Sequence, residues 1–163
     1  MFFSSSLSSP VQISRRLALK SAAGLVGLAL ISRQARAGEV FTGLIDGVGA
    51  GGYDAVAYFD GGRPTEGSAE FTHSWNGATW RFASAAHRDT FAANPTRYAP
   101  AYGGHCAWAA SQGYRAKGDP MNWRIVDGRL FLNYNAEVQQ RWNASYMRFI
   151  REGDTRWPRL RHG

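Results

Sequence analysis

Two dipeptides constrain this chain more than any other feature. Asn76-Gly77 and Asp127-Gly128 each sit between short runs rich in aromatic and branched residues, 71–75 with 79–82 and 123–126 with 129–132. Asn-Gly and Asp-Gly tolerate positive φ at both central positions, which a two-residue hairpin turn demands. The spacing therefore predicts two antiparallel hairpins. Pairing outward from the first turn sets Trp75 against Ala78, His73 against Trp80 and Phe71 against Phe82, and strand alternation puts these six on one face. His73 then lies among rings, where a hydrogen-bonded core role and a ligand role are both open to it. In the second hairpin Trp123, Ile125, Leu130 and Leu132 form the apolar face.

Each hairpin is followed by a helix signal. Ser84 caps a helix running to about residue 93 and closed by Asn94-Pro95, with His87 and Phe91 one turn apart on the face turned to the core. Asn135 caps a longer helix in which Val138, Trp142, Tyr146, Phe149 and Ile150 recur at helical spacing. Gly153 is expected to end it, leaving a Trp157-Pro158 tail laid back over the body. The order β, α, β, α predicts an α+β fold: one small domain of two hairpins forming an antiparallel sheet, two main helices and no disulfide.

The chain of 163 residues carries a formal charge of +7, which invites a nucleic-acid partner. That charge is concentrated at one end. Residues 1–37 hold Arg15, Arg16, Lys20, Arg33 and Arg36 and no acid, leaving 14 basic against 12 acidic residues, a charge of +2, for the rest. So even a balance lacks the basic footprint of a nucleic-acid binder. Arg15-Arg16, the small and apolar run 22–31 and Ala35-Arg36-Ala37 follow in the order of a cleaved secretory signal of the twin-arginine kind. The expected organisation is a signal at 1–37, cut after Ala37, a Gly-rich lead-in at 38–52 and the folded domain at 53–163. Export to the periplasm by the twin-arginine machinery follows, with the general secretory route open because Ala18 stands where a larger apolar residue is usual. The apolar run is far shorter than the roughly 18–20 residues of a membrane span.

Gly47-Val48-Gly49-Ala50-Gly51-Gly52 echoes a dinucleotide loop, but no helix long enough to use it follows, and a flexible linker is the plainer reading. The one cysteine, Cys106, excludes an internal disulfide in an exported chain. It sits in Tyr102-Gly103-Gly104-His105-Cys106-Ala107-Trp108, where adjacent side chains of an extended segment point to opposite sides. Cys106 is expected inside and His105 nearer the surface.

Tyr53-Asp54-Ala55-Val56-Ala57-Tyr58-Phe59, then Asn76-Gly77 with Trp80 and Phe82-Ala83-Ser84, Arg88-Asp89, Asn94-Pro95, Tyr98-Ala99-Pro100, Tyr102-Gly103-Gly104 with Cys106-Ala107, and finally Val126-Asp127-Gly128 with Leu130, Leu132 and Asn133-Tyr134-Asn135 resemble, in that order, the YHS-domain family. The likeness spans residues 53–160. It implies metal binding, the usual proposal for such modules. Those relatives carry two or more cysteines where this chain has only Cys106, so a site of Cys alone is excluded. A mixed site of Cys106 with His105, His87 or His73, and Met121 beside them, would suit copper or another soft transition metal.

Three functions follow as expectations. The first is a binding module holding such a metal, or a metal cofactor such as haem, through Cys106 and nearby histidines. The second is a non-catalytic interaction domain with a partner protein, in which Cys106 is inert packing. The third is a thiol enzyme or redox protein, which would need an activated Cys106 and a reachable base, and no C-x-x-C or other nucleophile pattern accompanies it. On balance the chain reads as non-enzymatic.

Overall fold

Both predicted turns form. Asn76 and Gly77 take φ of 50° and 78°, and Asp127 and Gly128 take 48° and 74°. They close β1 (Ser68–Trp75) on β2 (Ala78–Phe82) and β3 (Asp119–Val126) on β4 (Arg129–Asn133). The computed structural model describes residues 39–162, so the predicted signal at 1–37 lies outside the described residues. Trp75 faces Ala78 and His73 faces Trp80 as the turn dictates, but Phe82 pairs with Ser68 and not with Phe71. A register shift between Ser68 and Thr72 places extra residues in β1, and β3 has the matching shift between Asp119 and Trp123. Such a bulge bends the strand and moves every residue beyond it out of the simple pairing.

The hairpins remain two separate two-stranded sheets, where a single sheet was expected. Their outer edges are already taken: Val48 bridges Thr79 of β2 and Cys106 bridges Leu132 of β4, both in parallel. The α+β class holds, with no disulfide and with six helices among the described residues: α1 (Ala57–Asp60), α2 (Ala85–Ala93), α3 (Pro95–Tyr98), α4 (Ala107–Gln112), α5 (Ala136–Asn143) and α6 (Tyr146–Leu160). Ser84 caps α2 by accepting the His87 N–H, and Asn135 caps α5 by accepting the Val138 N–H. The long helix expected after Asn135 is α5 and α6, broken at Ala144 and Ser145. Gly153 does not end it. It lies buried inside α6, where a Cβ would come within 2.6 Å of the Tyr102 hydroxyl. Trp157 and Pro158 belong to the last turns of α6 and form no separate tail.

The two halves of the described chain are copies of one unit. A tight 3-10 turn at Gly49–Gly52 returns at Ala101–Gly104, and each bends through left-handed backbone, Ala50 and Gly51 at φ of 50° and 59°, Tyr102 and Gly103 at 56° and 60°. Tyr53 bridges Glu66 as His105 bridges Lys117. The Asp54 N–H donates to the Thr65 carbonyl as the Cys106 N–H donates to Ala116. A short helix, a bulged hairpin and a capped helix follow in both halves. The glycines of the lead-in therefore serve this turn, with Val48, Gly49 and Ala50 buried, and do not form a loose linker.

Each half has its own core. Phe91 of α2 meets the rings of Trp75, Trp80 and Phe82 in the first, and Trp142 of α5 meets Phe131 and Tyr146 in the second. A third cluster of Tyr58, Leu130 and Leu132 seams them together, with the Tyr58 hydroxyl donating to the Pro120 carbonyl at 3.0 Å. Burying rings of this size contributes roughly 1.5–3 kcal/mol apiece. No helix among the described residues is long and apolar enough to cross a membrane.

Candidate functional site

Cys106 is buried at 1% exposure and serves as the N-cap of α4. Its Sγ accepts the Ala109 N–H at 3.5 Å and donates to the Asn133 side-chain oxygen at 3.6 Å, and the backbone N–H groups of Tyr134 and Trp108 lie close enough to favour the thiolate. Burial pushes the thiol pKa above its ordinary value, against those N–H groups, which favour the thiolate. A nucleophile needs the opposite balance and an open approach.

His105 is buried too, at 6%, where a place nearer the surface was expected. The tight turn folds the segment so that both side chains go inward. The His105 ring lies between Phe41 and Trp157, with centroids 5.4 and 5.3 Å away. Its Nδ1 lies 2.9 Å from the Tyr102 carbonyl and, facing an acceptor, carries the ring proton. Burial lowers its pKa, the Tyr102 bond opposes that, and Arg115 adds to it.

His87 stands at the rim of the first half. Its Nδ1 lies 2.6 Å from Asp54 Oδ2 and its Nε2 3.5 Å from Asp60 Oδ2, so both nitrogens face carboxylates. Asp54 is fully buried and also accepts the N–H groups of Val56, Ala57 and Ala83. The pair pins α2 against α1. His73 sits edge-on to Phe91 at 6.1 Å, and Met121 is 61% exposed. Among the described residues no group of three or more histidine, cysteine or carboxylate side chains is placed to hold a metal ion. Of the donors expected from sequence, Cys106 caps α4, His105 Nδ1 faces the Tyr102 carbonyl and His87 Nδ1 faces Asp54.

What the fold does build is a cleft between the halves. It encloses about 390 Å³ and is walled by Trp75 at the tip of the first hairpin, Arg129 at the tip of the second, Arg97 of α3, Trp157 of α6, Tyr102 of the second tight turn, and Glu39. That size falls in the range of small-molecule sites, which are mainly apolar with a few placed polar groups. Arg129 makes a two-pronged bond to Asp154 at 2.8 and 2.9 Å, and the Tyr102 hydroxyl lies 2.9 Å from the same carboxylate. Burial raises the Asp154 pKa, but the bonds from Arg129 and Tyr102 outweigh it and hold the carboxyl below its usual range. The Tyr102 phenol is pushed up, first by burial and then by Asp154. This network fixes one wall of the cleft before any ligand arrives.

None of the cleft residues stood out in the sequence as a site. They come from positions scattered along nearly the whole described chain, and only the pairing of the two halves brings both hairpin tips to one hollow. Comparison with protein-family models, with curated proteins and with solved structures finds no match to this chain.

Proposed function

We propose that this chain is a small-molecule binding module of the YHS type, exported before use, whose binding site is the cleft between its two halves. The observation that carries the reading is the cleft itself: it is the hollow to which both halves contribute tryptophan and arginine side chains on an already fixed wall. The YHS assignment rests on the ordered motifs across residues 53–160, and export on Arg15, Arg16 and the Ala35-Arg36-Ala37 sequence. Cys106 has a structural task in this reading. A buried thiol that caps a helix and has a raised pKa lacks the activation and the open approach that a nucleophile needs.

The test is chemical-shift mapping of the purified chain with a panel of neutral, cationic and anionic small aromatic and aliphatic compounds. Saturable shifts of the Trp75 and Trp157 indole N–H signals, with Trp142 unmoved, are expected. Trp75→Ala or Trp157→Ala should weaken binding about tenfold, the loss of roughly 1.4 kcal/mol of ring contact. A panel that leaves both indoles unmoved would refute the cleft reading. So would a stoichiometric metal, found in chain purified without chelators and lost in Cys106→Ala, since that would make the thiol a ligand.

A further inference from the structure

The charges of the cleft are unevenly matched. Glu39 lies 3.7 Å from Arg161, and Arg129 is held by Asp154, but Arg97 has no carboxylate partner among the described residues. Its guanidinium is nonetheless fixed. Nη1 donates to the Gly128 carbonyl at 2.6 Å, and the guanidinium carbon stands 5.1 Å from the centre of the Phe59 ring. Gly128 is a turn glycine at φ 74° whose missing side chain makes room: a Cβ there would lie 2.7 Å from Arg97 Nη1. The bond to Gly128 uses one corner of the guanidinium and leaves the Nε and Nη2 edge uncommitted. Such a planar edge matches the two oxygens of a carboxylate.

The apolar walls are fixed in the same way. Trp75 packs on Trp80 and Phe91, Trp157 packs on Tyr102 and His105, and both remain half-buried at the cleft. Rings held from behind offer flat contact area at little entropic cost. Resting on the binding-module reading, we propose that the cleft takes a small planar carboxylate, with its anion on the free edge of Arg97 and its apolar body against Trp75 and Trp157.

Benzoate and benzamide separate charge from shape, because they match in size and planarity and differ in the anion. The purified chain is titrated with each at low salt, following the Trp75 and Trp157 indole N–H signals. Benzoate should bind about tenfold more tightly than benzamide, the worth of a partly solvated charge-assisted contact. Arg97→Gln should abolish that preference, and Arg97→Lys, which keeps the charge without the fork, should restore only part of it. The melting temperature of each variant is checked against the parent, so that loss of fold is not read as loss of preference. Equal binding of the two probes, a preference that survives Arg97→Gln, or benzoate failing where neutral panel members bind would overturn the carboxylate proposal and leave the cleft reading standing. If no probe of any charge moves the cleft indoles, both fall together.

Discussion

In the first half, the N–H groups of Val56, Ala57 and Ala83 converge on the carboxylate of Asp54. In the second, the matching N–H groups of Trp108, Ala109 and Tyr134 surround the thiol of Cys106, and the Ala109 N–H donates to it. One backbone arrangement is thus met by two chemistries. The carboxylate does the whole task alone and still reaches His87. The thiol is a weak acceptor, and Asn133 assists it by taking the Trp108 N–H at 3.0 Å, at the position where the first half has the core ring of Phe82. Val138 stands where the first half has His87, so the second half has no ion pair there. The comparison teaches that the place of Cys106 follows from the repeated backbone. A cysteine singled out by sequence as the chemical centre is the second copy of a helix-capping position.

The largest effect that could break this equivalence lies at the tight turns. Gly51 and Gly103 match in position and in backbone, at φ of 59° and 60°. Their surroundings differ: a Cβ on Gly103 would land on the Glu39 carbonyl, whereas one on Gly51 would lie 2.8 Å from the tip of the exposed Leu44 side chain. Backbone cannot yield and a surface leucine can. Gly103→Ala should cost about 4 kcal/mol or more, and Gly51→Ala about 1 kcal/mol, the cost of left-handed backbone alone. Urea unfolding followed by tryptophan emission measures both. Equal losses would mean that the segment at Glu39 is not seated against the second turn.

The capping position gives the next largest contrast. Asp54→Ala leaves three backbone N–H groups and the His87 ring without their acceptor in a buried place, at a cost of about 3–4 kcal/mol. Cys106→Ala removes a weaker acceptor and a small volume, at a cost of about 1–2 kcal/mol. Cys106→Ser should recover most of that loss, because serine is a good capping residue and the N–H groups are already aimed at it. Thermal unfolding of the three variants ranks them. A Cys106→Ala variant as damaging as Asp54→Ala would show that the thiol does more than cap.

Local signals were legible where chemistry is local. Both turns, both caps and the His73–Trp80 pairing follow from neighbouring residues, and Phe91 and Trp142 head the cores to which their helical spacing points. What stayed hidden depends on contacts distant in sequence. Phe71 loses its partner because the bulge is tied to Gly67, which presses on the Arg81 backbone, and Gly118 presses likewise on the Gly104 carbonyl. Gly153 reads as a helix end and is instead the seat of the Tyr102 ring. The repeat escapes notice because its halves keep the turns, caps and close-approach glycines while exchanging core residues: Trp80 for Phe131, Phe91 for Trp142, Asp54 for Cys106. The residues expected as metal ligands do not gather into a group of three or more among the described residues, since side-chain type shows what a residue can bind and not where the backbone places it.

The smallest difference between the halves is a titration. His105 occupies the place of Tyr53, and burial lowers its pKa, the Tyr102 carbonyl opposing and Arg115 reinforcing the shift. The unfolded chain therefore takes up this proton at a higher pH than the folded one. Stability from this group is complete above the ordinary histidine pKa of about 6.5 and falls as the pH drops from there towards the folded value. Asp154 acts lower on the scale: its carboxyl is held down, so its contribution is complete above the ordinary carboxylate pKa and is lost as the pH falls from there through the lower folded value. His105→Tyr, which installs the first half's own residue, should flatten the loss of stability between pH values of about 6.5 and 5. Urea midpoints at the two pH values, in parent and variant, decide the matter. If both chains lose stability equally on acidification, the His105 pocket does not set the acid response of the second half.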